Sequence, residues 1–104
     1  MPNFIFAYHG GSTPSDPADV EKVMGEWNAW YGSMGDAVQH GGGPAGKSNT
    51  VSAAGVAEDG GANPLSGFTI VSAPDHAAAC DMAKGCPMVK DGSGSVEVCE
   101  VIEM

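Results

Sequence analysis

The chain has 104 residues and a formal charge of −9 at pH 7. This length predicts one domain, residues 1–104, with a modest hydrophobic core. With only four Lys and Arg residues, the chain is not expected to bind nucleic acid or a membrane surface, since both polyanions are recognised by clustered basic side chains.

The N-terminal stretch MPNFIFAYHGG is apolar over only a few residues and has no basic region. It is too short for a signal peptide or a membrane span, so a cytoplasmic location is expected. The three cysteines are then expected to be free thiols. With three histidines and no C-x-x-C motif, neither a metal site nor a cofactor is predicted.

Residues 3–9 (NFIFAYH) are rich in aromatic and β-branched residues and are followed by two glycines, which predicts a first strand. Alternation gives the strand two largely apolar faces, so both faces are expected to be covered. One face consists of Phe4, Phe6 and Tyr8, and the other consists of Ile5, Ala7 and His9.

Residues 12–16 are typical of a turn that ends in a helix cap, with Asp16 as the N-cap and Pro17 at the first helical position. A first helix is predicted from Pro17 to Met34, with Gly35 as its C-cap. Its apolar residues recur at helical spacing; they are Val20, Val23, Met24, Trp27, Trp30, Tyr31 and Met34. The two tryptophans are expected to pack in the core.

The middle of the chain is rich in glycine. Short strands are predicted at residues 36–40 and 50–54, with loops at 41–49 and 55–66. Residues 67–73 (GFTIVSA) then predict a clear strand.

A second helix is predicted from Pro74-Asp75, carrying AAACDMAK and ending at Gly85. Cys80 is expected in its core-facing side. The last strand is predicted at residues 95–103 and includes Cys99.

The predicted order is β-α-β-β-α-β, which is the ferredoxin-like arrangement. This α+β fold has one antiparallel sheet with two helices on one face. Since the other face of the sheet is also apolar, a second copy of the chain is expected to pack against it, giving a homodimer with a shared interior.

Residues 41–48 (GGGPAGKS) match the phosphate-binding P-loop pattern. A working P-loop follows a buried strand and precedes a helix. Here DAVQH precedes it and NTVSAAGVAEDGG follows it, and neither segment fits. A loop between two strands is therefore favoured over a nucleotide site.

Three segments together resemble the YCII-related (YciI-like, DGPF-type) family: WNAWYGSMGDAV, NPLSGFTIVSAPDHAAACDMAKGCP and GSVEVCEVIEM. The resemblance covers nearly the whole chain. It implies a small bacterial protein with a ferredoxin-like fold that pairs into a dimeric α/β barrel. Most members of the family have no assigned function, and a few act on small molecules.

The resemblance also implies a His on the first helix and an Asp before the Pro that follows the second helix. In this chain the predicted first helix has no His, and Cys86 stands before the Pro in GCP. The DGPF signature is replaced by DGGANPLSG in the middle loop. Whether the chain is an enzyme therefore stays open.

The candidate catalytic residues are His9 and His40, because a histidine can carry a proton near neutral pH. Asp36 lies four residues before His40, but on a strand this spacing separates the two residues by about 13 Å. For both histidines the alternative is an exposed side chain at a strand end or in a loop. His76, at the first turn of the second helix, is expected to be exposed and inert.

The candidate ligand-binding residues are Tyr8, Asp36, Gly42, Lys47 and Cys86. Tyr8 offers a hydroxyl, although its alternation with Phe4 and Phe6 also fits a core position. Cys86 lies at the C-terminal end of a helix, where the dipole raises a thiol pKa and so disfavours a nucleophile.

Two functions are consistent with these residues. The first is binding of a small uncharged or cationic molecule in a cleft between the sheet and loop 41–49, with cofactor-free proton transfer or elimination. The alternative is a non-catalytic scaffold, regulatory or interaction dimer without a substrate.

Overall fold

A computed structural model describes residues 1–11 and 16–103. A short 3-10 helix, Gly35–Ala37, lies between the first helix and the second strand. The remaining elements in chain order are β1 (Asn3–Gly10), α1 (Pro17–Met34), β2 (Val38–Pro44), β3 (Thr50–Ser52), β4 (Gly55–Ala57), β5 (Leu65–Ser72), α2 (His76–Ala83), α3 (Pro87–Lys90) and β6 (Gly94–Glu100). The turn predicted at residues 12–15 lies outside the described residues.

The four long strands form one sheet in the order β2-β5-β1-β6, with every neighbouring pair antiparallel. Strands β3 and β4 form a separate hairpin. The helices pack on one face of the four-stranded sheet, so the predicted ferredoxin-like α+β fold is confirmed.

The first helix begins and ends as its sequence predicts. The Asp16 carboxylate accepts a hydrogen bond from the Ala18 N–H at 2.9 Å, and Pro17 occupies the first turn. At the other end the Gly35 N–H donates to the Tyr31 carbonyl, and Gly35 adopts a φ of 53°. These caps satisfy backbone groups that a helix end leaves free.

The second helix is shorter than predicted. It begins after Asp75, whose carboxylate accepts from the Ala78 N–H at 2.8 Å, and it ends at Ala83. Pro87 then starts the separate helix α3, because proline is favoured in a first helical turn. This third helix is not predicted by the sequence, in which Pro87 marks only the end of α2.

The core lies between the sheet and the helices. Phe6 stacks on Trp30 with ring centroids 6.1 Å apart, and Tyr8 meets Trp27 edge to face at 5.2 Å. Both tryptophans therefore pack in the core as predicted. The buried apolar residues are Phe4, Phe6, Tyr8, Trp30, Val71, Ala73, Ala79, Ala83, Cys86 and Met88.

Three side chains expected on inward-facing positions are exposed instead. Val20 and Met24 of α1 are 41% and 56% exposed, and Cys80 of α2 is exposed as well. The inward face of α1 is formed mainly by residues from Trp27 onward. Helical spacing correctly predicted which face of α1 points to the core. It did not predict how much of that face the small sheet covers.

The middle of the chain corrects two predicted boundaries. Gly41 to Pro44 belong to β2, so the loop is confined to residues 45–49 rather than 41–49. Residues 50–66, predicted as a strand at 50–54 and a loop at 55–66, instead form the β3–β4 hairpin and a shorter loop. Pairing with β5 keeps the glycine run extended through two register irregularities, despite the weak strand propensity of glycine.

The face of the sheet opposite the helices is here called the open face. Cross-strand pairs place its apolar side chains together, since directly opposed residues share a face. Ile5 lies opposite both Ile70 and Cys99, and Ala7 lies opposite Phe68. The first three are half-buried, and Phe68 is 37% exposed.

The bend in β2 depends on Gly42. Its φ is +64°, and a Cβ there would lie 1.8 Å from the Phe68 carbonyl oxygen. We expect Gly42→Ala to destabilise the fold by about 2 kcal/mol or more, through backbone strain and the clash with β5. Gly41→Ala is the matched control, because a Cβ at Gly41 meets nothing within 4 Å. Urea unfolding of both variants measures the difference, and equal stabilities would contradict this role of Gly42.

Candidate functional site

His9 lies on the open face at the end of β1, directly opposite Ser95 of β6. Its side chain is 12% exposed. The Nδ1 atom lies 3.3 Å from the Pro64 carbonyl oxygen, and the Nε2 atom lies 3.1 Å from Oε1 of Glu97. Both ring nitrogens therefore face acceptor oxygens, and the ring is held between two segments of the chain.

His40 also lies on the open face, opposite Ile70. Its Nδ1 atom accepts a hydrogen bond from the Gly42 N–H at 2.9 Å. The neutral ring therefore carries its proton on Nε2, and its plane stacks on Phe68 with centroids 5.9 Å apart. Asp36 lies in the 3-10 helix before β2 and is exposed.

The two candidate histidines are separated on the sheet. His40 is level with Ile5, because both lie opposite Ile70. From there to His9 is four residues along β1 and two strand spacings across, a separation of about 16 Å. They share one face of the sheet, but within one chain this distance is too long for them to act as acid and base on the same small molecule.

Tyr8 lies in the core. Its hydroxyl donates to Thr69 Oγ1 at 2.7 Å, and Thr69 Oγ1 donates to the Gly41 carbonyl at 3.2 Å. The Tyr31 hydroxyl lies 2.9 Å from the same threonine oxygen. Burial raises the pKa of Tyr8 far above its usual range, although the hydrogen bond to Thr69 opposes this shift. The cluster connects β1, α1, β5 and the glycine run of β2.

Cys86 is fully buried before α3. Burial raises its thiol pKa, while hydrogen bonds from the backbone of Met88 and Val89 oppose the shift. A protonated, buried thiol is a packing group rather than a nucleophile. Cys86 lines neither of the two clefts described next.

A cleft of about 440 Å³ lies at the end of the sheet beyond His9. Its charged side chains are those of Lys47, which is exposed, and of Glu58 and Asp59. Carboxylates thus outnumber the one ammonium group around it. The lining residues are Gly10, Gly11, Ala45, Gly46, Lys47, Ser48, Glu58, Asp59, Gly60, Pro64, Leu65 and Ser66.

A second cleft of about 600 Å³ lies between α1 and the segment around α3. Trp30 forms part of its wall, but the indole N–H already donates to the Met82 carbonyl at 3.0 Å. Its lining residues are Glu26, Ala29, Trp30, Ser33, Gly85, Pro87, Lys90 and Asp91.

The GGGPAGKS segment runs from strand β2 into a loop and then into strand β3. The element that follows Ser48 is strand β3 rather than a helix, so the segment lacks the helix N-terminus that a P-loop places at its phosphates. The interpretation as a connection between strands is confirmed, with its first half paired in the sheet.

The sequence does not predict the contact between Glu97 and His9. Pairing β1 with β6 places Glu97 opposite Ala7, so its carboxylate is a diagonal neighbour of His9. His76 is exposed as predicted, but its Nε2 lies 2.9 Å from the Val98 carbonyl oxygen on β6. Both contacts depend on the pairing and register of the strands, which cannot be inferred from the local sequence pattern.

Within residues 1–11 and 16–103, no group of three or more His, Cys, Asp or Glu side chains is placed to hold a metal ion. In the same part of the chain, no helix has both the length and the apolar character needed to cross a membrane.

The family model of the YCII-related domain matches residues 44–104, which is more than half of the chain. No curated protein matches the sequence. Among solved structures, the fold is similar to that of a 5-chloro-2-hydroxyhydroquinone dehydrochlorinase from Burkholderia phenoliruptrix AC1100, in complex with 2,5-dihydroxybenzoquinone. The TM-score is 0.60 at 15% identity, over 100% of this chain and 96% of the other.

The buried phenol of Tyr8 predicts a loss of stability at alkaline pH. Its pKa is raised in the folded state, so its contribution is complete below the pKa of an unfolded tyrosine, about 10, and falls as pH rises above that value. Tyr8→Phe should cost about 1 kcal/mol at neutral pH and make the alkaline loss of stability shallower. Chemical denaturation between neutral pH and pH about 11 measures both effects; an unchanged alkaline slope in the variant would contradict this assignment.

Proposed function

This chain belongs to the YCII-related domain family, and on that premise we propose that it binds a small uncharged or cationic molecule for cofactor-free proton transfer. The observation that carries the proposal is the cleft at the end of the sheet, next to His9. Pro64 lines this cleft, and its carbonyl oxygen contacts the His9 ring. A group that can carry a proton thus lies directly behind the cleft wall.

The charge around the cleft supports the ligand class. Lys47 faces the same space as Glu58 and Asp59, and the chain as a whole carries a charge of −9. An anionic molecule would meet a repulsive potential, whereas an uncharged or cationic one would not. The loop that closes this side of the cleft is residues 45–49.

We also propose that two copies pack their open faces together as a dimeric α/β barrel. Support comes from Ile5, Ala7 and Ile70, which form a continuous apolar surface opposite the helices. Phe68 extends this surface and is 37% exposed. Covering it with a second sheet removes apolar area from water at about 25 cal/mol per Å².

The alternative is a non-catalytic scaffold, regulatory or interaction dimer without a substrate. The distance between His9 and His40 favours it, as does the burial of Tyr8 and Cys86 in the core. Under this alternative the cleft has no ligand, whereas the first proposal requires one.

A thermal-shift screen of small uncharged and cationic compounds tests the proposal, because a molecule that binds only the folded state raises the melting temperature. Gly46→Phe fills the cleft, and Gly32→Phe on α1 is the matched control, since a Cβ at either glycine meets nothing within 4 Å. We expect compounds that stabilise the wild type and Gly32→Phe to have no effect on Gly46→Phe. Compounds that stabilise all three chains equally would contradict a site in this cleft.

The charge of the ligand is tested by comparing the wild type with Lys47→Ala. We include 2,5-dihydroxybenzoquinone, which is present in the solved dehydrochlorinase complex and is an anion at neutral pH. Lys47→Ala should leave the binding of uncharged compounds unchanged and strengthen that of cations. Stabilisation by the quinone that disappears in Lys47→Ala would instead assign the cleft to anions. A screen in which no compound stabilises the wild type favours the non-catalytic alternative.

A further inference from the structure

A carboxylate on the open face is held from two sides. Oε1 of Glu97 lies 3.1 Å from Nε2 of His9, and Oε2 accepts a hydrogen bond from the Cys99 thiol at 3.5 Å. The register brings the three side chains onto one face, because Glu97 lies opposite Ala7, and Cys99 lies opposite Ile5. Two neighbouring strands, β1 and β6, therefore fix both oxygens of one carboxylate.

The members of this group differ in accessibility. The His9 side chain is 12% exposed and that of Glu97 is 61% exposed. Both ring nitrogens of His9 already have partners, Pro64 and Glu97, so a ligand would have to break a contact to reach either of them. A carboxylate oxygen has two lone pairs, and Glu97 can accept a further hydrogen bond without losing His9.

Cys99 acts in this group as a donor. Its thiol pKa is raised by burial, and further by the hydrogen bond to Glu97 and the negative charge of that carboxylate. The sulfur therefore keeps its proton and directs it at Oε2. Together with His9, it leaves the carboxylate as the basic group that faces outward.

We propose that Glu97 is the proton acceptor of the open face, and that His9 and Cys99 are positioning residues that hold its carboxylate. This inference goes beyond the proposed function, because Glu97 lies outside the lining of the cleft. It lies on β6, at the edge of the sheet, and its side chain is 61% exposed. A small uncharged molecule with an acidic C–H bond suits this group, because the carboxylate and the charge of −9 on the chain repel anions.

The chemical step is a single proton transfer. The C–H bond of the substrate breaks, its electron pair stays on the substrate, and an O–H bond forms on Glu97. In an elimination that electron pair expels the leaving group, and Glu97 then returns its proton to solvent. A carboxylate that is fixed in advance loses less entropy at this step than a mobile one.

The probe is 5-nitrobenzisoxazole, an uncharged compound whose deprotonation by a base breaks its N–O bond and gives a coloured nitrophenolate. We expect the wild type to open it with saturation kinetics and Glu97→Gln to lower kcat by about 100-fold, the usual contribution of a general base. Glu100→Gln is the matched control on the same strand: Glu100 is exposed and lies opposite Phe4, outside this group. Its kcat should equal that of the wild type.

The positioning role of His9 is tested with two variants. His9→Gln keeps an N–H donor near the position of Nε2, whereas His9→Leu has a similar size and no donor. We expect Leu to lower kcat by about tenfold with little change in KM, and Gln to restore most of the loss. Equal kcat values for the two variants would show that the ring only fills space.

The outcomes separate the two proposals. Saturation by the wild type with an unchanged kcat in Glu97→Gln would overturn the role of Glu97 and leave binding of a small molecule intact. A wild type that neither saturates nor exceeds the buffer rate would overturn the role of Glu97, whereas binding of a small molecule in the cleft is decided separately by the thermal-shift screen.

Discussion

The alternation of side chains along β1 is the constraint on which the rest of the structure depends. Phe4, Phe6 and Tyr8 fill the core against the helices, and Ile5, Ala7 and His9 consequently point to the opposite side of the sheet. A sheet with helices on one face leaves that second set facing outward. The same alternation thus produces both the core and the surface on which His9, Glu97 and Cys99 meet.

The glycine run of β2 matches a motif in sequence but has a different structure from that motif. GGGPAGKS matches a phosphate-binding pattern by its letters, but its first half pairs with β5 and its second half is a short loop. The Gly41 carbonyl accepts a hydrogen bond from Thr69, while the Gly42 N–H donates to His40. The run therefore bends an edge strand and fixes the orientation of a histidine, and its last residues form one wall of the cleft.

Much of the fold could be predicted from the sequence because the signals are local. Asp16, Pro17 and Gly35 mark both ends of α1, and the apolar run after Gly67 identifies a central strand. The candidate site was harder to predict, since it depends on which strands pair and in what register. Glu97 and His9 are 88 residues apart in the chain and are neighbours only because β6 pairs with β1. Helical spacing predicts inward positions for Val20 and Met24, which are exposed, because spacing does not report how much of a helix the sheet covers.

The central claim is that a second copy of the chain covers the open face. Light scattering after size exclusion at micromolar concentration tests it directly. The account predicts a particle of twice the 10.5 kDa chain mass that becomes a monomer in Ile70→Lys, because this change places a charge in the middle of the apolar surface. Val51→Lys, on the β3–β4 hairpin where Val51 is 76% exposed, should remain a dimer. A wild type that elutes as a single chain would contradict the account.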